Sequence, residues 1–271
     1  MNYSVNESNS NGDGEAKRGV SVLSKKICGA ICALLLATAP QGLASGAQAQ
    51  DKKESGAAET PKPAVSLKAG TYHYTAKLEM NGQEMSLKMA TTIKDDGSAW
   101  TATDVMETPQ GSGTDTATID KGSLTLVKRT LQQGPVTINL DFAGNKATGT
   151  ANVNGQEHPI AVDLGGPLFA DAAGAEQVIA CLPLAAGYAV KVRNFDVQTQ
   201  TVKMRQITVT TVEKITVPAG TYDAFRVDET SVEGDPDRKT IWIATDSRKV
   251  VKMSVLLAAL GGAVMTVEAV D

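Results

Sequence analysis

Short turn sequences recur at intervals of roughly ten residues along most of this 271-residue chain, and that spacing restricts the fold more than any other feature. Between the turns, apolar and polar residues alternate. A period of two places successive side chains on opposite faces of a β-strand. The chain is therefore predicted to be a meander of antiparallel hairpins, as in a barrel or a sandwich.

The sequence around Asn81 and Gly82 predicts both a turn and the register of the strands beside it. These two residues suit a two-residue type I′ turn, whose positions both need positive φ. The flanking strands then pair Leu78 with Met85, Ala76 with Leu87 and Tyr74 with Met89. All six residues are apolar, and a slip of one position would turn them toward solvent.

Further glycine-containing turns follow at Asp96-Gly97, Lys121-Gly122, Ala143-Gly144-Asn145 and Asn154-Gly155. At the Lys121-Gly122 turn we expect Ile119 to pair with Leu124, and Ala117 to pair with Leu126. Later in the chain, Pro218 and Ala219 suit the central positions of a type I turn. Gly220 then suits the left-handed position of a three-residue hairpin with a bulge.

Residues 169–184, FADAAGAEQVIACLPL, lack the alternation. They are rich in alanine and stop at Pro183. We expect Asp171 to be a helix N-cap and residues 172–181 to form one helix with a largely apolar face. The fold class is therefore all-β and mainly antiparallel. It is a curved sheet or barrel meander with one short α-helix around residues 171–182, which plugs the open end or covers one sheet face.

The N-terminal residues 1–49 are predicted to be a signal peptide. Lys25 and Lys26 precede an apolar run over residues 27–37, and Ala47 and Ala49 stand where a signal peptidase cleaves. The run is shorter than the roughly 20 residues of a membrane-spanning helix. Ile27 and Ile31, before the two leader cysteines, argue against lipidation.

The domain organisation follows from these boundaries. Residues 50–64 are charged, small and proline-containing, which predicts a disordered linker. Residues 65–271 form a single β-rich domain. The protein is expected to be exported to the periplasm or the extracellular space, with no transmembrane segment in the mature chain.

The composition argues against several functional classes. The net charge is −4 and no basic block is present, which argues against nucleic acid as a partner. Cys181 is the one cysteine outside the predicted leader, so no intramolecular disulfide is expected, and its apolar neighbours indicate a buried thiol. His73 and His158 lack metal-ligand spacing. We find no catalytic motif, and expect no catalytic residues, no metal and no cofactor.

One acidic loop is the best candidate for a cation site. EGDPDRK places Glu233, Asp235 and Asp237 close together in sequence, and three carboxylates could hold calcium. Pro236 interrupts them and basic residues follow, so a solvated turn is the favoured interpretation.

Methionine on the first hairpin points to binding instead. Met80, Met85 and Met89 share its apolar face with Tyr74 and Leu87. Methionine adapts to irregular apolar surfaces, and these five residues are our candidates for contacting an apolar ligand. An ordinary core explains the same pattern.

Three C-terminal stretches carry a family resemblance: KITVPAGTYDAFRVDETS, KTIWIATDSRKVVKMSV and GGAVMTVE. A V-P-A-G-T hairpin, a strand with Trp242, Ile243 and Ala244, and a basic strand from Arg248 resemble a family of uncharacterised secreted bacterial proteins, a domain of unknown function. The resemblance covers roughly residues 195–271. It implies a β-rich, barrel-like envelope domain. Such folds are distantly similar to periplasmic lipoprotein carriers, whose half-open barrel holds acyl chains under a helical lid.

Three functional hypotheses result. The first is a non-enzymatic exported protein that buries an apolar small molecule or lipid in a β-barrel concavity. The second is a structural or interaction module with a filled core, which docks an envelope protein through exposed sheet edges. The third is a hydrolase whose carboxylates converge in space, one of them among Asp235, Asp237 and Asp246.

Overall fold

A computed structural model describes residues 58–108 and 111–271. The predicted signal peptide and the first part of the predicted linker lie outside these residues. The described chain forms strands β1 Gly70–Met80, β2 Gln83–Asp95, β3 Ala99–Thr108, β4 Gly111–Asp120, β5 Leu126–Gln133, β6 Val136–Ala143, β7 Lys146–Val153, β8 Gln156–Asp163, β9 Ala189–Asp196, β10 Thr201–Val217, β11 Gly220–Ser231, β12 Arg238–Ala244, β13 Val250–Leu257 and β14 Ala263–Ala269, with helix α1 Ala175–Ala180 and a 3₁₀ turn Ala258–Leu260.

All fourteen strands belong to one antiparallel sheet. Its order is β8-β7-β6-β5-β4-β3-β2-β1-β14-β13-β12-β11-β10-β9. Nearly every strand therefore pairs with its sequence neighbours, and the two halves of the chain join where β1 meets β14. Strands β8 and β9 are the edges, so the sheet does not close into a barrel. The all-β prediction is confirmed, in its open-sheet form.

The first hairpin has the predicted register. Tyr74 pairs with Met89, Ala76 with Leu87 and Leu78 with Met85. Asn81 and Gly82 form the turn with φ of 51° and 73°, as type I′ geometry requires.

Phe169 shows how strongly the sheet curves. It forms an antiparallel bridge with Thr125, next to β5, and its N–H donates to the carbonyl of Arg193 in β9. These strands are ten positions apart in the sheet, which would be about 48 Å if the sheet were flat. The ring of Phe142 in β6 also meets that of Phe195 in β9, at 6.2 Å. Side chains from the two ends of the sheet therefore come close together, although no hydrogen-bonded ladder joins the edge strands β8 and β9.

The core lies on the concave face, beneath residues 164–184. Leu168, Val178, Ile179 and Leu182 from that segment are buried. They cover inward-facing strand residues that are equally buried, among them Ala76, Ile93, Ala102, Ile119, Leu140, Ile207, Ile241 and Val267. Burial of this many apolar side chains, at about 1.5–3 kcal/mol for each large one, fixes the segment on the sheet.

The register predicted for the β4–β5 hairpin is wrong. Ile119 pairs with Leu126, and Ala117 pairs with Arg129. The cause is Asp120, whose Oδ1 accepts hydrogen bonds from the N–H groups of Gly122 and Ser123. This side-chain turn lengthens the loop.

The helix is shorter than predicted, and its cap is another residue. It begins after Gly174, which has φ of 72° and makes no side-chain cap. Asp171 is not the N-cap. Its carboxyl instead lies close enough to Arg129 and Lys239 for their charges to act on its pKa.

The β10–β11 turn also differs from expectation. Val217 pairs directly with Gly220, so Pro218 and Ala219 form a two-residue turn. Gly220 has φ of 139° and not the left-handed value. At the tip of this hairpin, the N–H of Ala219 donates to the carbonyl of Ala269 in β14 at 3.1 Å.

The end of the predicted linker contacts the sheet and the helix. The N–H of Glu59 donates to the carbonyl of Lys191, and the N–H groups of Ala64 and Val65 both donate to the carbonyl of Cys181. The domain boundaries at residues 49 and 64 stay predictions.

Candidate functional site

A cavity of about 220 Å³ opens at one end of the concave face. Residues 65–68, Tyr72, the α1 face at Gln177, Ala180 and Cys181, and residues 247–250 line it. We call it the α1 cavity. Its volume exceeds the roughly 150 Å³ of an engineered cavity that binds benzene. It is smaller than the roughly 300–1,000 Å³ of sites for drug-sized ligands.

The floor of the α1 cavity is apolar. Leu67, Ala180, Cys181 and Val250 are all at most 5% exposed. The segment before β1, which carries Leu67, is attached to Cys181 through the N–H groups of Ala64 and Val65. Val65, at the entrance, is 38% exposed. An apolar floor with an exposed apolar lip is typical of a small-molecule site.

The rim of the same cavity is cationic. Arg248 has φ of 62°, a left-handed value that is uncommon outside glycine. Its Nη1 donates to the carbonyl of Leu182 at 3.3 Å, and its guanidinium lies 5.1 Å from the ring of Phe225. These two contacts fix the side chain at the cavity mouth.

Two lysines complete the rim. Lys68 Nζ donates to the carbonyl of Ser247 at 3.1 Å, and Lys249 Nζ contacts the backbone oxygen of Asp271. Among the described residues that line the cavity, three are basic and none is a carboxylate. Asp246 flanks the rim, and the charge of Lys68 contributes to lowering its pKa, after hydrogen bonds from Ser247.

The ionisable groups inside the cavity are not activated. Burial raises the pKa of the Cys181 thiol to about 11, although the charge of Arg248 opposes the shift. Burial also raises the pKa of Tyr72. A thiol with a raised pKa is a poor nucleophile at neutral pH, so the α1 cavity suits binding better than covalent chemistry.

A second group of residues, which we call the buried charge cluster, lies beneath the segment that carries α1; its two glutamates are buried and its other members are half-buried. Its members face inward from both halves of the sheet or downward from the segment: Asp104, Asp115, Arg129, Asp171, Glu176, Glu229 and Lys239. The sequence interpretation missed this cluster.

The first half of the cluster centres on Asp104 and Asp115, which are directly opposite each other on β3 and β4. Arg129 binds Asp115 through two hydrogen bonds, of 3.1 and 2.8 Å. Asp104 accepts from Thr91 Oγ1 at 2.6 Å and from the N–H of Gly174 at 3.1 Å. Burial, reinforced by the charge of Glu176, raises the pKa of Asp104 to about 7.

Lys239 is the centre of the second half. Its Nζ lies 3.0 Å from Glu176 of α1 and 3.2 Å from Glu229 of β11. Burial opposes the charge of Lys239, but Glu229 and Glu176 outweigh it and raise the lysine pKa. Burial also raises the pKa of Asp171 to about 7, against the opposing effect of Arg129.

Perturbed carboxyl groups in a crevice are a common sign of an active site, but the contacts here indicate structure. The carboxylates of Asp104, Asp115 and Glu176 all bond to groups of the protein itself. Removing one partner of such a buried pair costs about 3–5 kcal/mol. The cluster therefore ties α1 to β3 and β12.

The predicted ligand residues lie on the concave face but are not gathered around one cavity. Tyr74 and Leu87 are buried, and the three methionines are half-buried. Tyr74 and Met89 border a small cavity of about 10 Å³ under α1, which is room for about one water. They also border a depression of about 360 Å³ beside Val270 and Val105. Met80, Met85 and Leu87 line none of these three cavities. Their binding role stays a prediction.

The acidic loop and the histidines do not converge. Asp235 pairs with Lys203 at 3.1 Å, and Asp237 accepts from the N–H of Ala258 at 2.9 Å. Glu233 accepts from the N–H of Met204 at 2.9 Å. In the described part of the chain, no three His, Cys, Asp or Glu side chains are placed to hold a metal ion. No helix within residues 58–108 and 111–271 has the length and hydropathy to cross a membrane.

Comparisons with known proteins identify the family. The chain belongs to DUF3108, a family of proteins of unknown function, whose sequence profile matches residues 64–268. The match includes the N-terminal hairpins, beyond the C-terminal stretches that carry the resemblance. No curated protein matches the chain.

Two solved structures show limited similarity. One, named as an exported protein with a YmcC-like fold, is from Bacteroides fragilis. It is 10% identical with a TM-score of 0.35, over 78% of this chain and 98% of that one. The other, a DUF1329 family protein from Desulfovibrio piger, is 12% identical with a TM-score of 0.28, over 76% of this chain and 85% of that one.

Proposed function

We propose that this member of the DUF3108 family is an exported, non-enzymatic protein that binds an apolar ligand in the α1 cavity. The observation that carries the proposal is the cavity itself. It has about 220 Å³ of space above a floor of four buried apolar residues. Burying apolar surface there would contribute about 25 cal/mol per Å².

Export rests on the sequence of residues 1–49. A basic flank, a short apolar run and small residues before the cleavage point are the features of a secretory leader. A protein delivered outside the cytoplasm meets lipids and their breakdown products, which a small apolar cavity can hold.

The α1 cavity fits this role better than the methionine face that the sequence suggested. The buried charge cluster lies on the concave face. An alkyl chain bound there would lie against charged groups, so it would have to avoid the cluster. The α1 cavity lies at one end of the concave face, and its walls come from elements that the core fixes in place.

Native mass spectrometry of the protein, purified without detergent, tests the proposal. Delipidated protein is mixed with decanol, and the bound fraction is measured. Ala180→Phe, which fills the cavity from α1, should abolish binding. Met85→Gln should leave binding unchanged, as should Val105→Phe in the depression beside Val270. Equal loss of binding in Met85→Gln would transfer the site to the methionine face. No binding by the unmodified protein of decanol, or of decanoate tested in the same way, would refute the proposal. Thermal midpoints confirm that each variant is folded.

A further inference from the structure

The rim of the α1 cavity carries a charge pattern that the proposed function does not use. The protein as a whole is acidic, with 26 basic against 30 acidic residues. Three basic side chains nevertheless meet at this one opening, around an apolar floor.

Arg248 is the member that is best placed for recognition. A guanidinium has five N–H donors, and the bond to Leu182 uses one of them. Its position over the ring of Phe225 limits the motion of the side chain. The left-handed φ of Arg248 belongs to the turn between β12 and β13, where its N–H donates to the carbonyl of Ala244 at 3.0 Å.

Lys68 and Lys249 line the cavity from different segments. Lys68 belongs to the stretch that precedes β1, and Lys249 belongs to the turn before β13. Each makes one contact with backbone oxygen, and an ammonium group has three donors. Asp246 and Asp271 lie outside the lining residues, although Lys68 acts on the pKa of Asp246 and Lys249 contacts Asp271.

We infer that the ligand of the α1 cavity is an amphipathic anion, a single alkyl chain whose carboxylate or phosphate head is bound by Arg248, Lys68 and Lys249. The inference rests on the proposed function, because it takes the α1 cavity as the site that holds the ligand's alkyl chain. Arginine matches carboxylate and phosphate oxygens in pairs. The 220 Å³ volume accommodates one chain or part of one, with the head at the rim.

The test compares probes that share a ten-carbon chain and differ in the head: decanoate, decyl phosphate, decanol and decyltrimethylammonium. Each is titrated calorimetrically at concentrations at which it is monomeric in solution. We expect the two anions to bind about tenfold or more tightly than decanol, as expected for a hydrogen bond to a charged group. The cationic probe should bind least. Added salt should weaken binding of the anions and leave decanol unaffected.

A triple variant isolates the rim. Lys68→Gln, Arg248→Gln and Lys249→Gln together should reduce the affinity for decanoate to that for decanol. The matched control, Lys77→Gln with Lys128→Gln and Lys146→Gln, removes the same charge at exposed positions and should keep the preference for anions.

The outcomes separate the two claims. Equal affinity for decanoate and decanol would overturn the inference and leave the proposed function standing. Absence of binding by all four probes would overturn both. Tighter binding of decanoate would indicate a fatty acid as the ligand, and tighter binding of decyl phosphate would indicate a phospholipid fragment. Either result supports the inference.

Discussion

The backbone N–H of Gly174 donates to Oδ2 of Asp104 at 3.1 Å, and this bond joins the start of α1 to strand β3. The helix that it anchors forms one wall of the α1 cavity. The stability of the segment and the shape of the cavity therefore depend on the same contacts.

Gly174 should tolerate no side chain. A Cβ there would lie 2.8 Å from Cβ of Ala102 and 3.0 Å from Cδ1 of Ile93. We expect Gly174→Ala to destabilise the protein by about 2–4 kcal/mol, from overpacking and the left-handed φ together. Urea unfolding measures the loss. Gly97→Ala is the control, because its φ is 80° but nothing lies within 4 Å of the added Cβ. A similar loss in both variants would contradict the packing argument.

Stability should fall as the pH rises from about 4 to 7. The pKa values of Asp104 and Asp171 rise from 3.8 to about 7 on folding, so the folded protein keeps protons that the unfolded chain has released. The unfolding free energy therefore decreases with pH across this window. For Asp104 alone, the loss between pH 5 and pH 7 is about 2–3 kcal/mol.

Asp104→Asn should remove the part of the pH dependence of the unfolding free energy that Asp104 causes. Denaturant unfolding at pH 5 and pH 8 measures it, with Asp141→Asn at an exposed position as the control. An unchanged slope in Asp104→Asn would show that Asp104 ionises normally in the folded protein.

Lys239 should matter far more than a lysine in a surface ion pair. Lys239→Met leaves Glu176 buried without its cation and leaves Glu229 with Arg205 alone, at 3.9 Å, so we expect a loss of about 3–5 kcal/mol. Lys214 pairs with Asp223 at 2.9 Å, but both side chains are more than 60% exposed. Lys214→Met should therefore cost about 0.5 kcal/mol or less. Equal effects in chemical denaturation would refute a structural role for the cluster.

Local rules predicted the first hairpin because its turn chemistry and its face pattern require the same register. They failed at the β4–β5 hairpin, where the side chain of Asp120 satisfies N–H groups that the simple turn would leave free. They failed again at Asp171, because burial beside Arg129 depends on a strand that is distant in sequence.

The buried charge cluster did leave a trace in the sequence. Asp104 occupies the inward position between Ala102 and Met106, and Asp115 stands between Gly113 and Ala117. A carboxylate in the apolar register of two adjacent strands indicates a buried partner. No comparable sequence pattern predicts the α1 cavity, because four separate segments line it and only the fold brings them together.

The most direct test of the binding site is an amide NMR titration of the protein with decanoate. Our account predicts that the largest shifts occur at residues 65–68, 177–181 and 247–250, with Arg248 prominent among them. Shifts centred on Met80, Met85 and Met89 with residues 247–250 unchanged would contradict it, and would place the ligand on the concave face of the first hairpin.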